Sequence, residues 1–75
     1  MKEIHPKKLK ELRDNYPTGT RVILIKMDDP YTKLKSGVKG TVVLVDDIGT
    51  IHVKWDSGSS LGVAYGEDIC KKIIE

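Results

Sequence analysis

Of the 29 apolar residues in this chain, eight are isoleucine and seven are valine, while alanine occurs once, as Ala64. Branching at Cβ stiffens χ1 and suits a pleated, half-buried surface better than a helix, so this bias directs the chain towards strands. Seven glycines, most of them followed closely by a β-branched run, punctuate it at intervals that fit short strands and turns.

A chain of 75 residues allows one domain with a single small core, because a domain near this length buries only about 60% of the surface its unfolded chain exposes. A deep enzyme cleft between domains has no room to form. The 39% apolar and 32% charged fractions exclude a disordered chain and describe a soluble globular one. The longest apolar runs, Val22 to Ile25 and Val42 to Val45, hold four residues each, far from the roughly 20 that a membrane span needs. Met1-Lys2-Glu3 leads into no apolar stretch, so no secretory signal is read. Cys70 is alone and has no internal partner for a disulfide, which points to the reducing cytoplasm.

Residues 1–17 differ from the rest. Pro6 suits the first helical position and Asn15 a left-handed closing position, so Ile4 to Asp14 is predicted as a short amphipathic helix with Leu9, Leu12 and Tyr16 along one stripe. Ile4 is placed to staple onto Leu9, and Tyr16-Pro17 ends the helix. Residues 18–75 turn to a period of two, with strands expected over Arg21 to Met27, Gly40 to Val45, Ile51 to Trp55, Ser60 to Val63 and Ile69 to Ile74. Asp28 to Ser36, with Pro30 inside it, reads as a long loop, and Gly49 is placed to take a positive φ between the second and third strands. The expected core is Val22, Leu24, Val42, Leu44, Ile51 and Val53.

These segments carry recognisable wording: GTRV at Gly19, KMDDPYTKL from Lys26, GTV at Gly40, DDIGTIHVKWD from Asp46 and GED at Gly66. The run from Gly19 to Asp68 resembles a small bacterial and phage family known as domain of unknown function 4314, and its GTV strand with a VKWDxG hairpin is more loosely similar to KOW-like modules and to small barrels of the Mib/Herc2 type. The resemblance implies a five-stranded SH3-like β-barrel and an association with bacterial chromosomes, phages and mobile elements. It implies no activity and supplies no functional residues.

Motifs for catalysis are sparse. Asp28-Asp29 and Asp46-Asp47 stand at strand ends, where aspartate caps turns through its own side chain, and neither has calcium-loop spacing. Glu67-Asp68 reads as a cap before the last strand. His5 and His52 have no ligand at zinc spacing, so no metal or cofactor is expected. Cys70 has no base placed beside it and reads as structural. Ser57, Ser59 and Ser60 form a hairpin turn. No nucleophile, base and oxyanion donor can be assembled, so the chain is expected to be a binding module and not an enzyme.

Two contact surfaces follow from the residues. Tyr31 in the long loop, Trp55 at the end of a central strand and Tyr65 before the last strand fall where an SH3-like barrel brings residues to one edge, so they are expected to form a shallow groove for a peptide or protein partner. The reading in which Trp55 is core and the tyrosines cover it stays open. The alternative function is weak, sequence-independent nucleic-acid binding. Residues 1–15 carry five basic and three acidic groups, whereas residues 16–75 carry eight of each. All the excess positive charge thus lies in the helix segment, with Lys7, Lys8, Lys10 and Arg13 as candidate phosphate contacts. Lys33, Lys35 and Lys39 form a second cluster in the long loop and its exit. Lysine outnumbers arginine eleven to two, which disfavours bidentate reading of bases.

Overall fold

The period-two segments pair into one antiparallel sheet. The computed structural model describes residues 3–28 and 34–74. Helix α1 spans Pro6–Asn15, and the strands are β1 Arg21–Lys26, β2 Lys39–Val45, β3 Ile51–Trp55, β4 Gly62–Val63 and β5 Ile69–Lys72. The sheet order is β4-β3-β2-β1-β5. Its mainly β class, its five strands and its one short helix agree with expectation. The sheet is open, however, because β4 and β5 are its two edges and no ladder joins them among the described residues.

Alternation sends one row of side chains from each central strand to the same side. Val22, Leu24, Val42, Val53 and Trp55 are almost fully buried there, with Val45, Ile51 and Val63 beside them. Leu44 was expected in this core and is 48% exposed, while Val45 is 9% exposed. A β-bulge causes the difference. Val42 pairs with Val53 and Leu44 with His52, so Val43 is an extra residue in β2, and the alternation resumes one position late. The connector after the helix holds the bulge: Gly19 N donates to Val42 O at 2.8 Å and Thr18 Oγ1 to Val43 O at 2.7 Å. Replacing Val45 with Ala is therefore expected to cost about 2 kcal/mol. Leu44→Ala is expected to stay within about 0.5 kcal/mol of the parent, as exposed positions do. Urea denaturation of the two variants checks this.

Helix α1 begins at His5, whose Nδ1 accepts from Lys7 N at 3.1 Å, and Pro6 follows as the first helical residue. It ends differently from expectation. Asn15 is the last helical residue, no described non-glycine has a positive φ, and Tyr16 N closes the helix on Leu12 O at 2.8 Å. Leu9, Leu12 and Tyr16 pack on the core while no helix residue is fully buried. Ile4 reaches over the β2–β3 turn, where a Cβ on Gly49 would lie 2.8 Å from Ile4 Cδ1. Gly49 takes a φ of 85° there, as expected.

Candidate functional site

Trp55 does not line a groove. It shares the inward face of β3 with Ile51 and Val53, is 1% exposed, and donates from Nε1 to Leu61 O at 2.9 Å. Of the three aromatics expected along one edge, Trp55 is core, and Tyr31 lies outside the described residues. Tyr65 is half-buried and, with Tyr16, lines a cleft of about 130 Å³ that also includes Leu12, Val63 and Cys70. Burial pushes the Cys70 thiol up to about 11, and burial with Cys70 nearby raises the Tyr16 phenol, against a lowering hydrogen bond from the Lys72 backbone. Near neutral pH both groups are uncharged. The cleft is an apolar seat for the helix with no activated thiolate in it.

Salt bridges engage most of the helix cations expected to meet phosphates. Lys8 Nζ lies 3.5 Å from Glu11 and Lys10 Nζ 3.9 Å from Asp14, both within the helix. Arg13 reaches off it to Asp47 at 2.6 Å and to Val45 O at 3.4 Å, which makes it a strap between α1 and the β2–β3 turn. Lys7 is exposed. These exposed pairs add little stability, yet they place an acid beside three of the four cations.

The strands show the opposite pattern. Among the described residues they contain Arg21, Lys26, Lys39, Lys54, Lys71 and Lys72, and no aspartate or glutamate. Cross-strand partners share a face, so the register decides where these side chains stand. Ile23 lies between Lys39 and Lys71, and Thr41 lies between Arg21 and Lys54. Both rows alternate with the buried row and face away from the core. A second bulge, at Ile25, returns Lys26 to the same side opposite Ile69. Five cations thus share the outward face, with neighbouring strands about 5 Å apart, while Lys72, opposite the buried Val22, falls on the other side of edge strand β5. Arg21 is engaged on the outward face, with Asp56 taking two hydrogen bonds at 2.8 and 2.6 Å and Thr41 a third at 2.9 Å. Hydrogen bonding to Arg21, together with the charges of Arg21 and Lys39, lowers the Asp56 carboxyl. No ion pair with a described residue holds Lys26, Lys54 or Lys71. Linear charge counting missed this face. The signal was present in the expected strands, where every charge is positive.

Acidic residues instead close turns, as expected for Asp46 and Asp68. Asp46 Oδ1 accepts from Ile48 N and Thr50 N at 3.1 and 2.9 Å, and Oδ2 meets His52 Nε2 at 2.9 Å. Asp68 Oδ1 accepts from Asp28 N and Oδ2 from Ala64 N, at 2.8 and 2.9 Å. Asp29 lies outside the described residues. Burial alone would raise the Asp46 carboxyl, but hydrogen bonds from His52, Thr50 and Ile48 outweigh it and hold the group below its ordinary value. A depressed folded pKa contributes stability above the unfolded value of about 3.9 that is lost as pH falls through the folded value. Cys70 runs the other way: its raised pKa gives a contribution that is complete below 9.0 and lost as pH rises towards about 11. Urea midpoints across pH are expected to fall at both ends, with Asp46→Asn flattening the acid limb.

The geometry defines a small, mainly β domain with a helix on one side of its sheet and a cationic face on the other. Residues 5–73 match the family described as Domain of unknown function (DUF4314), and the chain belongs to that family. No curated protein and no solved structure matches it. No described helix is long and apolar enough to cross a membrane.

Proposed function

We propose that this chain is a non-enzymatic binding module of the bacterial cytoplasm that engages nucleic acid through the outward face of its sheet. The observation that carries this reading is the segregation of charge: every charged strand residue is a cation, and five of the six share one face. Such a face attracts phosphates and releases their counterions on binding. Four of the five cations on it are lysines, which act as point charges and favour backbone contact over base recognition. A peptide contact through the aromatic residues has weaker support, because Trp55 is enclosed in the core.

Substituting Lys39, Lys54 and Lys71 together with Gln is expected to weaken binding to random-sequence DNA uniformly and to lower the salt slope by about one for each lysine. The same change at Lys7, Lys8 and Lys10 is expected to leave most of the affinity. Loss with the helix set and retention with the sheet set would contradict the proposal.

A further inference from the structure

We infer that the ligand of the cationic face is the paired backbone of a nucleic-acid duplex, held without base stacking and without sequence reading. This rests on the nucleic-acid reading above and concerns which form of nucleic acid the face accepts.

Single strands are generally held in basic grooves whose aromatic side chains stack on successive bases. No described tyrosine or tryptophan stands on the cationic face. The side chains interleaved with the cations on the outward face are Ile23, Thr41 and Ile69, and the one ring in the outward row of β3, His52, is tied by its Nε2 to Asp46 Oδ2 at 2.9 Å. Trp55 is in the core, and Tyr16 and Tyr65 belong to the cleft beside α1. Two clefts of the domain also have the wrong charge. Only Asp68 is ionic in the cleft beside α1, and Asp28, Glu67 and Asp68 line the other, of about 290 Å³. Phosphates would be repelled from both.

The cations instead form a two-dimensional array. Lys39 and Lys71 lie two strands apart across Ile23, or about 10 Å. That separation is comparable to the groove widths of a duplex, about 6 Å and about 12 Å, so the face can meet phosphates on both sides of a groove. Bidentate base reading by arginine is already committed here. Asp56 and Thr41 occupy the guanidinium of Arg21, the one arginine on the face. Helix α1 packs against the core, on the opposite side of the sheet from the cations.

The test is a fluorescence-anisotropy titration of the full chain with a mixed-sequence duplex of about two helical turns, with each of its separated strands, and with anionic phospholipid vesicles. The duplex is expected to bind several-fold more tightly than either strand. Its Kd is expected to rise about 40- to 150-fold between about 50 mM and about 200 mM salt, as three or four phosphate contacts require. Lys54→Gln with Lys71→Gln should reduce that salt dependence. Equal or tighter binding of the separated strands would overturn the duplex inference and leave the nucleic-acid reading standing. Binding to the vesicles with none to either nucleic acid would overturn both.

Discussion

Trp55→Ala is expected to come close to unfolding the domain. Removing a fully buried tryptophan costs about 3–5 kcal/mol, while a chain of this length has only about 4–11 kcal/mol to lose. The indole lies on the inward face of the sheet at 1% exposure, and its Nε1 satisfies the Leu61 carbonyl in the segment leading to β4. The substitution therefore opens a cavity and leaves that carbonyl without its donor. A fall of more than about 12 °C in Tm follows, read by far-UV circular dichroism because Trp55 is the only tryptophan. Trp55→Phe keeps most of the packing and loses the hydrogen bond, so it should cost less. A Trp55→Ala variant that melted like the parent but lost a protein partner would restore the aromatic groove.

Gly40→Ala adds one methyl group, yet its expected effect is nearly as large. The new Cβ would lie 2.6 Å from Val53 Cγ1, 2.8 Å from Trp55 Cε3 and 2.9 Å from the Lys54 carbonyl oxygen. Two of these neighbours are buried side chains, and the third is backbone in the paired strand. None can move without opening the β2–β3 ladder, where Gly40 stands directly opposite Trp55. The loss should reach the upper part of the about 1–3 kcal/mol that overpacking costs. Equilibrium urea unfolding measures it, and a neutral result would show that the two strands do not approach this closely.

The residues that were legible in the sequence are those governed by local rules. Period-two alternation located the central strands, Gly49 marked its turn, and Pro6 marked the helix start. Leu44 was misplaced because its orientation depends on a bulge held by Thr18 and Gly19, more than twenty residues earlier in the chain. Asn15 looked like a helix terminator by type, but Tyr16 closes the helix without a left-handed residue. The aromatic groove was inferred from positions along the chain, whereas the alternation of Ile51, Val53 and Trp55 already assigned the tryptophan to the inward row. Net charge was the least informative quantity. Residues 16–75 sum to zero, and that zero conceals described strands whose charges are all positive.

The most direct test of the cationic face is amide chemical-shift mapping of the isotopically labelled chain as a mixed-sequence duplex is added at low salt. The account predicts that the largest changes fall on β1, β2, β3 and β5 at Ile23, Lys39, Lys54 and Lys71, and that they fade as salt rises. Changes centred on Lys7, Lys8 and Lys10 of α1, or on Tyr16, Tyr65 and Cys70 around the cleft, would contradict it.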